Sequence, residues 1–396
     1  MPHLRKRHVA SLVLKRLKSS RVITLQGARQ SGKSVLARDL LPDLLPHASF
    51  ETFDRAMTKR FAQENPDTFL EKNTDFKPLI IDEAQKVPEI FDAVKYQVDL
   101  HPAPGRYILL GSSEFSREVK IRESLTGRLS RIRLYPFNLA EALQLPANPS
   151  RTVLLTNPSS RCSRADLLRH LKSSGMPGVF ALHSQADRES FFEDWISLVT
   201  SRDLLLFFKL NPDPDLADAI IRAIPKLEVP DSIHLSRYLR ESAGRIQKHI
   251  KMLEQLFVLH KLLPHKISTG KPLYFLMDAG LAAYLGATLE RQLQTWLVHE
   301  QLSQRSYRDD RTFRLTYYRS ARAGILDMVC ETPNACAALK ILPREEIDLR
   351  DLMILKAFRD KGALHGLPRV ELGALAPVAR PEKIEGVTVF PWESIV

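Results

Sequence analysis

Residues 21–34 read RVITLQGARQSGKS. An apolar run with Val22, Ile23 and Leu25 ends at Gly27, and four residues later comes Gly32-Lys33-Ser34, which opens the helically spaced SVLARDLL. A buried strand that passes through a glycine loop straight into a helix belongs in a parallel sheet covered by helices. The loop itself has a chemistry. Glycines let the backbone curl, so that N–H groups across Gly27, Ala28, Arg29, Gln30, Ser31, Gly32, Lys33, Ser34 and Val35 turn inward. The helix that follows presents its positive end to the same point. Such a cradle suits phosphate oxygens, with Lys33 reaching the outer phosphates and the Ser34 hydroxyl offered to Mg²⁺.

A second element lies about fifty residues on. PLIIDEAQ is a buried strand that ends in Asp82 and Glu83. Asp82 at a strand tip would hold Mg²⁺, usually through water, and Glu83 would orient or deprotonate an attacking water. Loop and acids together predict ATP and Mg²⁺ as ligands and hydrolysis as the reaction, with Lys33 and Glu83 catalytic and Ser34 and Asp82 at the metal. RYILLGSS is the next strand, and its terminal Ser112 and Ser113 fall where a polar group could meet the γ-phosphate; Ser113 is taken as the catalytic candidate. SLTGRLSRIRLYPF carries Arg128, Arg131 and Arg133. Arg128, after a glycine turn, is the candidate transition-state arginine, whereas Arg131 and Arg133 alternate along a strand and face solvent or nucleic-acid phosphates.

With 396 residues the chain is too long for one ordinary core. Its 44% hydrophobic and 26% charged residues fit a soluble globular protein, and no apolar run reaches a membrane span. The basic opening MPHLRKRHVASLVLKRLKSS reads as an amphipathic helix on the first domain (Leu4, Val9, Leu12, Leu17) and lacks the features of a secretory signal. The three cysteines, Cys162, Cys330 and Cys336, match no metal spacing, and the expectation is a reducing cytoplasm. A net charge of +12 suits a polyanion, or simply a basic surface.

The expected organisation is a basic helix over 1–20, a P-loop α/β domain over 21–145, a linker and helical region over 146–230, a helix–turn–helix with a hairpin wing over 231–286, and a small α/β domain over 287–396. The helix SAGRIQKHIKMLEQLF carries Arg245, Lys248, His249 and Lys251, and the wing carries Lys266 and Lys271. These make duplex DNA a candidate partner, although Ile246, Ile250, Leu253 and Phe257 form a core-like face and such modules also bind protein. Trp195, Trp296 and the phenylalanines near 207 sit in apolar runs and read as core.

GARQSGKS, LIIDEAQKVPEIFDAVKYQVD, RYILLGSS and ESLTGRLSRIRLYPFNLAE together resemble the prokaryotic ATPases that join an AAA-like domain to a C-terminal domain of unassigned function. GMPGV, the Trp195 and Arg202-Asp203 segment, KPLYFLMDAGLAAYL and YYRSARAGILD extend the likeness downstream. The resemblance implies a winged-helix-like middle and a restriction-endonuclease-like end. For that nuclease core, Glu300, Asp327 and Lys340 stand at suitable places, but the acid two residues before the lysine is replaced by Ala338, and Glu331 lies on the wrong side of the turn. Loss of one carboxylate from such a site weakens metal binding, so the last domain is expected to bind or scaffold and not to cut. The preferred function is a Mg²⁺-dependent ATPase acting as a nucleotide switch; the alternatives are an ATP-gated nuclease and a protein-binding scaffold with weak ATPase activity.

Overall fold

The computed structural model describes residues 4–72, 75, 77–114, 127–147, 161–208 and 211–396. Most of the expected linker therefore lies outside the described residues. The first sheet holds five parallel strands: β1 (Val22–Gln26), β2 (Ser49–Thr52), β3 (Leu79–Asp82), β4 (Tyr107–Gly111) and β5 (Leu129–Arg133). Their order is β2-β3-β4-β1-β5. Alternation along the strands assigns each face its own core. Val22, Leu79, Ile81, Tyr107 and Leu109 pack under Ile90, Phe91, Val94 and Val98 of the Glu89–Leu100 helix. Ile23, Leu25, Ile80, Ile108 and Leu110 face Val9, Leu12, Val13 and Leu17 of the Val9–Leu17 helix, with Leu36 and Leu41. Each such side chain contributes roughly 1.5–3 kcal/mol on burial. This is a P-loop-type α/β domain. Leu4 lies before the first helix and remains exposed.

The second sheet has eight strands and mixed pairing. The helices Ser232–Leu239 and Ala243–Gln255 lead into β6 (Leu259–Pro264) and β7 (Leu273–Leu276), an antiparallel hairpin. β6 then pairs in parallel with β8 (Arg314–Ser320), so the hairpin extends the C-terminal sheet of β8, β9 (Gly324–Thr332), β10 (Ala335–Ile341), β11 (Val370–Ala376), β12 (Glu382–Ile384) and β13 (Val387–Pro391). The boundary expected at 286/287 thus falls between segments that share one sheet. The Leu289–Arg308 helix covers one face through Leu293, Trp296 and Leu297, and the Leu349–Leu364 helix covers the other through Leu352, Leu355 and Phe358. Trp195 and Trp296 are fully buried in separate cores.

Candidate nucleotide site

Gly27 follows β1 directly. A Cβ there would lie 2.2 Å from the backbone carbonyl of Leu134, so only glycine fits. Gly32 has φ +92°, a second glycine requirement, and Gln30 between them is also left-handed at φ +61°. The Lys33–Val35 helix begins at once and widens into a π-helical turn over Leu36–Leu40. The Lys33 ammonium folds back over the loop and donates to Gly27 O (2.9 Å) and Ala28 O (2.8 Å). Burial pushes its pKa down to about 8, against the opposing pull of Glu83 and Asp82.

Because β4 lies between β1 and β3, the loop, the Ser112 tip and the acids converge on one sheet edge. Ser34 Oγ donates to Asp82 Oδ2 at 2.7 Å. Two such oxygens could hold Mg²⁺, which keeps water and substrate oxygens in its remaining positions. Glu83 leaves β3 in the left-handed region at φ +55°, a strained position for a non-glycine residue. Burial raises its pKa, and Lys33 opposes the shift. Gln85 Nε2 donates to Glu83 Oε2 and reaches Ser112 Oγ at 3.3 Å. The Ser112 hydroxyl itself comes within 3.5 Å of Glu83 Oε2. Ser113 instead contributes its carbonyl, which accepts from Gln26 Nε2 at 2.8 Å. The serine that meets the acid is therefore Ser112, one residue before the expected candidate. Gln85 was missed, although it stands two residues past Glu83 in the same DEAQ run.

The outer wall of the loop comes from distant segments. Arg7 is buried and donates to Ser31 O (2.9 Å), Tyr135 O (2.5 Å) and Glu141 Oε1 (3.2 Å). Glu141 and Asn138 form a capping box on the Leu139–Ala142 helix, which fixes the carboxylate. On the other side Arg29 forms a two-point ion pair with Asp203 (2.6 and 2.8 Å), and Trp195 Nε1 donates to Arg29 O at 3.3 Å. Ala28 packs in the core of Met176, Val179 and Trp195. Trp195 and Asp203 carried a sequence signal in the downstream likeness. Arg7, one cation in a basic run, carried none.

Arg128 is not brought to the loop. It precedes β5, whose first residue pairs with Val22 at the opposite end of β1, and it is ion-paired with Asp99 (2.9 Å). Parallel pairing puts the start of β5 a strand's length from Gly27, so within one chain Arg128 does not reach that site. Arg133, beside Gln26 at the correct end, stacks on Tyr135 (4.7 Å) and Phe257 (4.9 Å) and meets His260 Nδ1 at 3.2 Å. Arg131 is exposed on the edge strand.

In the C-terminal sheet, Asp327 and Lys340 do meet, at 3.1 Å, but Glu300 is elsewhere. Glu300 is fully buried, caps Leu139 N at 2.9 Å and has its pKa pushed up to about 7 by burial. The acid that joins the pair is Glu290, 3.7 Å from Lys340, three turns earlier on the same helix. They line a cavity of about 320 Å³. Asp327 carries three donors: Oδ1 accepts from Gln294 (2.6 Å), and Oδ2 from Ile341 N (2.7 Å) and Lys340. Ala338, two residues before Lys340 on the same face of β10, is buried under the Leu349–Leu364 helix, and Glu331 lies beside His265 and pairs with Lys266. Among the described residues no cluster of three or more His, Cys, Asp or Glu is placed to hold a metal.

The middle-region cations are mostly engaged. Arg245 pairs with Asp213 (2.6 Å) and Glu241 (2.8 Å), Lys248 donates to Asn211 O (3.2 Å), and buried His249 accepts from Asp213 N (2.9 Å). The hairpin expected as a wing is docked as well: His265 N donates to Tyr317 O (2.7 Å). Lys251 and Lys271 are exposed. All three cysteines are free, and no helix among the described residues is long and apolar enough to cross a membrane.

A parallel sheet with a glycine cradle at the end of one strand and an acid pair at the end of another is the architecture of a P-loop NTPase domain. Comparison with known proteins agrees for the first domain: residues 19–143 match the AAA domain family. Uncharacterized proteins of Mycobacterium bovis and Mycobacterium tuberculosis are each 25% identical over 284 residues, 70% of this chain. The match spans 59% of the length of those relatives. Among solved structures, the Walker-type ATPase of Pyrococcus abyssi overlays with a TM-score of 0.42 at 14% identity, covering 71% of this chain and 96% of that one. A Vibrio cholerae protein of known crystal structure gives 0.21 at 13% identity, covering 94% and 95%. Strand order and register define the fold.

Proposed function

We propose that this chain is a Mg²⁺-dependent ATP hydrolase that works as a nucleotide-driven switch. The observation that carries the reading is the Ser34–Asp82 hydrogen bond with Glu83 and Lys33 beside it, which gathers the parts of a triphosphate site from two separated strands. The backbone N–H groups from Ala28 to Val35 bind the phosphates, and Lys33 leaves its carbonyl partners to neutralise the outer ones. Ser34 and Asp82 would hold Mg²⁺, which supplies charge neutralisation at the β- and γ-phosphates. Glu83 accepts a proton from water as the water oxygen bonds to the γ-phosphorus. The bond from that phosphorus to the β–γ bridging oxygen breaks, and ADP departs with the electron pair. Ser112 and Gln85 hold the Glu83 carboxylate in place.

The switch part of the reading rests on the loop's outer wall. Ala28 and Arg29 touch Met176, Val179, Trp195 and Asp203, so a change in loop shape bears directly on the helical region. We assign residues 21–145 the hydrolysis, 146–286 the response, and 287–396 a binding or scaffolding role without cleavage. Arg237, Arg240, Lys251 and Lys271 are exposed on the helix pair and hairpin, and Arg245 and Lys266 keep exposed side chains beside their acidic partners. Duplex DNA and a protein are both candidate partners, and DNA binding that weakens steeply with salt would select the first. The hydrolase reading is tested by calorimetry with ATP and Mg²⁺ on wild type and Lys33→Ala; heat from the first and none from the second is expected. Well-folded wild type that gives no heat would refute it.

A further inference from the structure

Hydrolysis of a phosphoanhydride gains from a guanidinium at the reacting phosphate, and Arg128, Arg133 and Arg7 are each held by other partners away from that role. Arg29 differs. It belongs to the loop, two residues past Gly27, and its carbonyl is pinned by Trp195. Its side chain is 27% exposed, while that of Asp203, its partner, is nearly closed off at 5%. Glu83 and Asp54 lie near enough to favour the Arg29 charge, and Arg29 in turn disfavours the charge on Lys33. The arginine thus shares one electrostatic cluster with the loop lysine and the proposed water-activating acid. Asp203 closes a π-helical stretch, Leu198–Asp203, between two α-helical segments; such stretches are uncommon and frequent at functional sites.

Resting on the hydrolase reading above, we propose that Arg29 is the transition-state arginine, supplied by the loop itself, and that the γ-phosphate of ATP takes it from Asp203. The exchange is chemically matched: carboxylate and phosphate both receive a guanidinium fork through two parallel N–H···O bonds. ADP, with no γ-phosphate, leaves the Arg29–Asp203 pair in place. The pair is therefore the point where the helical region distinguishes triphosphate from diphosphate, and Asp203 is a positioning residue.

The experiment uses the full chain and compares wild type, Arg29→Ala, Arg29→Lys and Asp203→Asn, each titrated with ATP and with ADP in Mg²⁺ and assayed for turnover. Arg29→Ala should lower kcat by about 10³-fold or more. It should keep ADP affinity within about threefold while losing the preference for ATP over ADP. Arg29→Lys should fail to restore kcat, because an ammonium lacks the fork. Asp203→Asn should raise ATP affinity relative to ADP, since the competitor for Arg29 is weakened; a purely structural Asp203 would shift both nucleotides together. The proposal is overturned if Arg29→Ala keeps the ATP/ADP ratio with kcat reduced less than about tenfold, or if Asp203→Asn leaves the ratio unchanged. Wild type that binds neither nucleotide would instead strike the hydrolase reading.

Discussion

Removing the guanidinium of Arg7 while keeping its stem length, as Arg7→Met, tests how the nucleotide loop is braced. The side chain is 3% exposed and Glu141 0%. Arg7 contacts Ser31 O, Tyr135 O and Glu141, and its guanidinium sits 4.7 Å from the Phe137 ring centroid. Breaking a buried pair from one side costs about 3–5 kcal/mol, since the remaining charge stays buried. Glu141 keeps two backbone donors, His8 N at 2.8 Å and Asn138 N at 3.3 Å, which places the expectation near the low end, about 3 kcal/mol. Urea unfolding followed by far-ultraviolet circular dichroism reads the loss. The double variant Arg7→Met/Glu141→Gln removes the stranded charge and should recover a coupling of about 2 kcal/mol. ATP affinity should fall in Arg7→Met, because Ser31 O loses its anchor. A single variant within about 0.5 kcal/mol of wild type would refute the idea that this pair ties the N-terminal segment to the loop.

Glu83→Gln should bind ATP within a few-fold of wild type yet turn it over about 10²–10⁴ times more slowly, measured by phosphate release; equal turnover would remove Glu83 from its role. The Lys33 pKa near 8 gives a pH signature. Below pH 8 the ammonium is charged and its burial cost is fully present. Between pH 8 and the unfolded value of 10.5 the unfolded chain holds more protons, so the Lys33 contribution to stability rises with pH. ATP affinity should move the opposite way over that window, falling by up to about tenfold per pH unit as the phosphates must recapture the proton; a flat calorimetric profile would count against Lys33 as their partner. Gly27→Ala forces a Cβ to within 2.2 Å of Leu134 O, and backbone cannot swing aside as a side chain can, so a loss of about 1–3 kcal/mol with weakened ATP binding is expected in thermal melts. Linear DNA incubated with Mg²⁺ should stay intact, since the position two residues before Lys340 carries Ala338 and no carboxylate; degradation that Asp327→Ala abolishes would show otherwise.

Contributions that depend on local spacing were legible in the sequence. Gly27, Gly32, Lys33 and Ser34 share one turn, and Asp82 and Glu83 share one strand end, so short-range chain geometry determines what each can do before any packing occurs. The same holds for the alternating strands that build the first sheet. Residues whose role depends on a partner far along the chain were not legible. Arg7 meets Glu141 and Arg29 meets Asp203 across more than a hundred residues, and no local pattern announces either pair. Strand direction decided against Arg128, because parallel pairing sends the start of β5 to the end of β1 remote from the loop. Position along the helix decided between Glu300 and Glu290: about 15 Å of rise separates them, so one meets Leu139 and the other Lys340. The sequence by itself determined a glycine loop and the acid pair of a neighbouring strand. Only the tertiary structure decided which arginine, serine and glutamate stand near them, because burial and pairing are set by how distant segments meet.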